Sequence, residues 1–259
     1  MIESSEEVGV IIPSHNRPRE LERAIKSVLE QTHRPTQVIV IDDGSEPENL
    51  KEIENVCELT SVQLFSLKGV GHPGYARKMG VRKLSTKWIA FLDDDDYWEK
   101  NKIKNQLEIA LRYDMSAIGT NAKLTSNGLP FFSMKTGSIS KCNLSRLLRR
   151  NLIITSSVLV TRELLIQSNE FADSYNVRGA EDYATWLRIA TLTDWHILGD
   201  ALTVYSDFSP DSIRNWQDST SQNTPYHAYL DFMDWSRVHR SKRYYCARAL
   251  LKLFRIYLS

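Results

Sequence analysis

Through residues 1–120, short apolar runs alternate with stretches of helical period. Val8-Gly-Val-Ile-Ile12 is a continuous apolar run halted by Pro13, the pattern of a buried strand. Leu21, Ala24, Ile25, Val28 and Leu29 then recur at the spacing of one helix face. Val38-Ile-Val-Ile41 predicts a second strand, ending abruptly in Asp42-Asp43-Gly44-Ser45. A weaker helix (Leu50, Ile53, Val56, Cys57) leads to a strand within residues 62–67, then to a loop carrying Gly69, Gly71 and Gly74. A helix through Ala76, Met79 and Leu84 precedes the fourth strand, Trp88-Ile-Ala-Phe-Leu92, which runs straight into Asp93-Asp94-Asp95-Asp96.

Such alternation predicts βαβ units: an α/β, Rossmann-like fold with a mostly parallel central sheet flanked by helices. Ligands of these sheets sit beyond the carboxyl ends of the strands. Pro13-Ser-His-Asn16, Asp42-Asp43 and Asp93 to Asp96 all fall at those ends, so three polar clusters should converge on one rim. The second half is less regular. Residues 123–141 read as loop or irregular strand, Ser156 to Val160 as a short strand with Thr161 capping the next helix, and Glu181-Asp182 as the opening of a helix through Trp186, Leu187 and Ala190. No repeat or low-complexity segment interrupts the chain.

Composition narrows the class. With 42% apolar and 25% charged residues of both signs, the 259-residue chain can bury a core and is not disordered. No apolar run approaches the ~18 residues of a membrane span, and the acidic start, Met1 to Glu7, lacks the apolar segment of a secretory signal. Cys57, Cys142 and Cys246 are too few and too dispersed for a disulfide framework or a zinc site. A cytoplasmic, reduced protein is expected. The net charge of +1 is uneven: the residues from Trp235 onward hold seven Lys/Arg and no Asp/Glu, leaving the rest of the chain at −6. A body of that sign argues against nucleic acid as a partner. It also divides the chain into one domain over residues 1–234 and a basic tail over residues 235–259. In the tail Ala247, Leu250, Leu251, Phe254 and Leu258 share a helical face beside Arg248, Lys252 and Arg255, although Leu253 and Ile256 lie elsewhere. Peripheral contact with the inner membrane surface is one reading; a terminal helix packed on the domain is the other.

Four consecutive aspartates after a buried strand repel one another, and a strand exit needs only one turn-forming Asp. A hard divalent cation, Mn²⁺ or Mg²⁺, resolves the conflict because it takes oxygen ligands. The structural alternative is a solvated acidic turn with Asp96 as a helix cap. Asp42-Asp43-Gly44-Ser45, His15-Asn16 and Glu181-Asp182 are individually ambiguous, since turns, loops and helix N-termini favour the same residues.

Order and spacing together carry more. Val10-Ile-Ile-Pro-Ser-His-Asn-Arg17, Ser27-Val-Leu-Glu-Gln-Thr32, Val38-Ile-Val-Ile-Asp-Asp-Gly-Ser45, Gly74-Tyr-Ala-Arg-Lys-Met-Gly80, Trp88 to Asp96 and Glu181-Asp-Tyr-Ala-Thr-Trp-Leu-Arg188 follow in one sequence. In that order they resemble the family 2 inverting glycosyltransferases of the GT-A fold, bacterial surface-polysaccharide type. The resemblance covers residues 7–215 and implies roles by motif position. Pro13, His15 and Arg17 would line the nucleotide, Asp42 or Asp43 would accept a hydrogen bond from the base, and Arg77 would approach base or diphosphate. Asp93-x-Asp95 would be the metal motif, with Asp95 the direct ligand, Asp93 nearer the ribose and metal waters, and Asp94 between them in the donor site. Asp182 would be the general base, and Glu181 would orient the acceptor. The implied reaction is metal-dependent, inverting transfer of one hexosyl or N-acetylhexosaminyl unit. It would run from a nucleotide-sugar donor, UDP-linked, to a glycan or lipid-linked acceptor.

Direct attack on the anomeric carbon inverts it, whereas retention would require an added nucleophile that the sequence does not single out. Two departures stand out. Tyr205-Ser-Asp-Phe208, and then the stretch to Arg214, lack the His that the family often carries there, and Lys78 occupies a position where the family commonly has Asn. The processive Gln-x-x-Arg-Trp signature is absent as well. A non-catalytic sugar-nucleotide or glycan binder of the same fold is one rival. A haloacid-dehalogenase-type phosphatase is weaker, because Asp96-Tyr97 follows the acid pair where that family has Thr or Val. A nicotinamide oxidoreductase lacks its glycine fingerprint after the first strand.

Overall fold

A computed structural model of the chain describes residues 6–207 and 224–239. The N-terminal half follows the periodicity closely. Strands β1 (Val8–Ser14), β2 (Gln37–Asp42), β3 (Gln63–Ser66) and β4 (Trp88–Phe91) pair in parallel, connected through helices α1 (Pro18–Leu29), α2 (Pro47–Thr60) and α3 (Pro73–Lys83). Each of these helices carries proline in its first turn, where a missing N–H costs nothing.

β5 (Tyr97–Trp98), α4 (Lys102–Arg112), β6 (Ala117–Leu124), β7 (Ile139–Cys142), α5 (Leu144–Leu147), β8 (Leu159–Thr161), α6 (Arg162–Gln167), α7 (Glu181–Ile189), β9 (Trp195–Tyr205) and α8 (Thr224–His239) follow. The sheet runs β3-β2-β1-β4-β8-β6-β9-β5, with β7 paired to β9. β8 lies antiparallel between β4 and β6, β5 and β7 are antiparallel to β9, and β6 is parallel to β9. Parallel order therefore dominates only the first half of the chain. Parallel neighbours need a helical crossover, and the β4-to-β5, β6-to-β7 and β7-to-β8 connections hold no full-length helix.

Alternate residues of the central strands feed two cores. Val8, Val10 and Ile12 of β1, with Trp88 and Ala90 of β4, pack under α1, α2 and α4. Ile11, Ile89 and Phe91 face the opposite way, toward α3, α6, α7 and α8. On that second face Phe91, Phe171, Trp186 and Trp195 form a chain of edge-to-face contacts with centroids 5.0–5.4 Å apart.

The segment predicted as a strand from Ser156 begins as a 3₁₀ turn, Thr155–Ser157, and joins the sheet only at Leu159. Thr161 stands at the N-cap of α6, but its side chain makes no capping bond. The division at 234/235 falls inside α8. Trp235 and Ser236 are buried against the body, and Arg188 pairs with Asp231. Residues 240–259, where the amphipathic tail was read, lie outside the described residues, as does Arg214. Among the described residues no helix is long and apolar enough to cross a membrane. Cys57 and Cys142 are buried free thiols, raised to about 11 by burial.

Candidate active site

The parallel strands end on one rim, and the turns leaving them build the site. β1 exits through exposed His15 and left-handed Asn16. Asn16 takes the Ser45 hydroxyl on its N–H at 2.8 Å, and its side-chain oxygen accepts from Glu46 N at 2.7 Å. The first loop is thereby locked to the turn after β2. His15 Nδ1 lies 3.2 Å from the Asp43 carbonyl, and Pro13 is half-buried beside it in sequence.

Asp42 is fully buried. Its carboxylate accepts from Gly44 N and Ser45 N, and from the Ser45 hydroxyl at 2.5 Å, so it closes its own turn. Asp43 instead grips the glycine-rich loop, accepting from Val70 N at 2.8 Å and His72 N at 2.9 Å. Gly44 has φ +76°, and a Cβ there would sit 2.4 Å from the Gly69 Cα. These two loops thus meet backbone to backbone, a contact that only glycine permits. His72 Nε2 ties the same loop to the Ser174 carbonyl at 3.0 Å. As placed, both aspartates spend their carboxylates on loop amides.

The turn after β4 is closed by Asp96 N donating to the Asp93 carbonyl at 3.1 Å, and its side chains alternate in burial. Asp93 and Asp95 face the crevice with side chains 29% and 19% exposed, while Asp94 and Asp96 point inward. Asp96 does not cap a helix, because α4 begins at Lys102. It accepts from Ser206 N at 2.7 Å, and burial with repulsion from Asp93 and Asp95 raises it well above its ordinary value. Asp94 is raised to about 7 by burial, against the pull of Arg17. Buried Ser156 supports this turn, its hydroxyl accepting from Asp93 N at 3.1 Å and its carbonyl accepting from Trp98 Nε1 at 2.6 Å.

Two guanidiniums answer these acids. Arg17, at the N-cap of α1, reaches Asp95 Oδ2 at 2.9 Å and Asp94 Oδ1 at 3.2 Å. Arg77 is buried in α3 and bridges Asp93 Oδ1 (2.5 Å) to Glu181 Oε1 (2.9 Å), resting 5.3 Å from the Phe171 ring centre. Burial opposes its charge, but Asp93 and Glu181 prevail and hold it above its ordinary value. α3 approaches closely enough to do this because residue 74 is glycine: a Cβ there would lie 2.1 Å from the Ala172 carbonyl and 2.9 Å from Glu181 Cβ. Lys78, in place of the expected Asn, pairs with both oxygens of Asp173 at 2.9–3.0 Å.

Glu181 and Asp182 open α7 in different states. Glu181 is buried, with its second oxygen accepting from Gly179 N at 2.7 Å. Asp182 is half-buried, accepting from Thr155 Oγ1 at 3.0 Å and Tyr183 N at 2.6 Å. Burial and the neighbouring Glu181 raise it to about 6, the range of a carboxylate poised as a base. Through Arg77 the acidic turn and the head of α7 are therefore held at one place. Thr155, Ser156 and Ser206 were not singled out as site residues from sequence, since each acts through hydrogen bonds to residues distant in the chain.

Among the described residues no group of three or more His, Cys, Asp or Glu side chains forms a ready metal cluster. The donor chemistry nonetheless fits a hard divalent cation. Asp93 and Asp95 are two crevice-facing carboxylates that repel each other, and burial and Asp93 lift Asp95 above its ordinary value. Two protein carboxylates completed by water and substrate phosphate are the usual Mg²⁺ arrangement.

A mixed sheet with an acidic turn and a carboxylate-headed helix at one rim is the arrangement expected of a GT-A fold. The chain belongs to glycosyl transferase family 2, whose model matches residues 9–159. An uncharacterised glycosyltransferase of Rickettsia bellii is 35% identical over 186 residues, which cover 71% of this chain and 26% of that protein. The chain therefore spans about a quarter of that relative's length. The Escherichia coli protein WfgD, named a UDP-Glc:alpha-D-GlcNAc-diphosphoundecaprenol beta-1,3-glucosyltransferase, is 30% identical over 182 residues, covering 70% of this chain and 69% of that one. TarS of S. aureus, solved in complex with UDP-GlcNAc, shares the fold with a TM-score of 0.70 at 18% identity, over 90% of this chain and 65% of that one.

Proposed function

We propose that this chain transfers one sugar, with inversion, from a UDP-linked donor to a glycan or lipid-linked acceptor, with Asp182 as general base. The observation that carries the reading is the Arg77 bridge, which holds Asp93 of the donor-side turn against Glu181, the neighbour of the base. A donor whose diphosphate lies at Asp93 and Asp95 would share the rim with Asp182, the neighbour of Glu181. The names of WfgD and of the TarS complex support a UDP-sugar donor by similarity.

Each residue then has a task. Asp93 and Asp95 would hold a divalent cation, which when bound supplies Lewis-acid stabilisation of the leaving diphosphate. Thr155 and the Tyr183 amide aim the Asp182 carboxylate, which takes the proton of the acceptor hydroxyl as that oxygen attacks the anomeric carbon. The bond from that carbon to the diphosphate oxygen breaks on the opposite side. Glu181, held by Arg77 and Gly179 N, fixes the head of α7 on which Asp182 sits. Asn16 and Asp43 keep the nucleotide-side loops closed.

Thermal stability in UDP, GDP, dTDP and CMP, each with and without Mn²⁺, tests the donor class. UDP with metal at ~100 times its dissociation constant should stabilise by about 2.7 kcal/mol. No shift with any pair would defeat the reading. Transfer should also rise with pH through about 6, because Asp182 is protonated and idle below that value. A rate flat from pH 5 to 8 would remove Asp182 as the titrating base.

A further inference from the structure

The two arginines on the acidic turn differ in a way that matters for metal entry. Arg77 is sealed between Asp93 and Glu181 over Phe171, with a side chain 7% exposed. Arg17 is 22% exposed and projects from the rim onto Asp95, the acid expected to ligate metal directly, and onto inward-pointing Asp94. Its backbone is anchored by buried Pro18 at the start of α1, so a change of partner would be a movement of the side chain alone. Arg23 Nη2, from the next turn of α1, holds the Asp95 carbonyl at 2.5 Å and fixes the peptide beneath the carboxylate.

Resting on the reading above, we propose that Arg17 is a latch on the metal motif. Its guanidinium occupies Asp95 while donor is absent and passes to the diphosphate when donor arrives. A divalent cation and a guanidinium cannot share one carboxylate oxygen without repulsion at close range. Phosphate offers the guanidinium an equivalent partner of higher charge, in the paired geometry that arginine favours. The exchange moves no proton and breaks no covalent bond. Its consequence is ordered: metal alone binds weakly, the nucleoside diphosphate frees Asp95, and the two ligands bind cooperatively. The acidic pair is thus kept neutralised in the empty enzyme, and free metal does not settle there without substrate.

The test measures Mn²⁺ binding by the paramagnetic signal of the unbound ion, on the full chain, with and without UDP. Wild type should bind Mn²⁺ alone weakly and gain strongly from UDP. Arg17→Gln should bind Mn²⁺ alone about tenfold more tightly and gain less from UDP, a coupling change within the usual range. Arg17→Lys, which keeps the charge, should stay near wild type. Arg17→Met repeats the neutral test with another side chain should Gln impair folding. Metal-alone affinity in both neutral variants equal to or below wild type would overturn the latch, as would the same tenfold tightening of metal-alone binding in the Lys variant. Absence of Mn²⁺ binding by wild type even with UDP would instead overturn the metal-dependent reading itself.

Discussion

Asp182→Asn should lower transfer about 10²- to 10⁴-fold, the usual contribution of a positioned general base. UDP binding in the presence of Mn²⁺ should stay within a few-fold of wild type. Asn is the informative replacement because it can keep the contacts of the carboxylate. One oxygen still accepts from Tyr183 N, and the amide NH₂ can donate to the Thr155 hydroxyl that formerly donated to Asp182. The loss would then fall on kcat, as expected of an interaction made only in the transition state. Release of UDP from the donor that the thermal screen identifies is the readout. A rate within a few-fold of wild type would eliminate Asp182 as base.

The same substitution has a stability signature of opposite sign. In the folded chain Asp182 is raised from 3.8 to about 6, so the native state prefers the protonated form. Its favourable contribution is complete below pH 3.8 and is lost as pH rises through about 6. Asn resembles the protonated acid at every pH. Asp182→Asn should therefore melt higher than wild type at pH 7.5, and with no such gain at pH 3.5. Lower activity with higher neutral-pH stability would mark a charge kept for chemistry at the expense of the fold.

Arg77→Met should destabilise by about 3–5 kcal/mol, the cost of leaving a buried ion network without one partner. At this chain length that corresponds to a fall in melting midpoint on the order of 10 °C. Methionine fills much of the volume and can lie on Phe171, so the deficit would arise chiefly from unpaired Asp93 and Glu181. Arg77→Lys should recover part of it, since one ammonium cannot bridge both acids in the forked geometry. A change below 1 kcal/mol in a urea unfolding curve would mean that the bridge is solvated and does not join the two parts of the site.

Most of the architecture was legible along the chain, because periodicity reports burial directly. β1 and β4 read as continuous apolar runs since both of their faces are covered, and α1 shows one apolar stripe since only one of its faces is. The acidic turn and the head of α7 were visible as dense carboxylates at element ends. The second half was harder. β8 is three residues long and follows a 3₁₀ turn, and α8 buries Trp235 inside what charge alone assigned to a tail. Net charge reports solvation and is silent on which aromatic residues in a basic stretch find a core.

The sequence by itself determined the family, the α/β order of its elements, the rim on which the polar clusters gather and the identity of the acids there. These follow from local patterning, which each residue carries with it. Tertiary structure alone decided how those acids divide the work. Asp42 and Asp43 turned out to hold loop amides, Asp93 and Asp95 to face the crevice while their neighbours are buried, and Arg77 to join residues 93 and 181. It also separated buried Glu181, held by Arg77 and Gly179 N, from half-buried, raised Asp182. The physical reason is that a carboxylate's role depends on its dielectric surroundings and its donors. Those donors, Thr155, Ser156, Ser206, Arg17 and Arg77, arrive from parts of the chain that meet only when the sheet has formed.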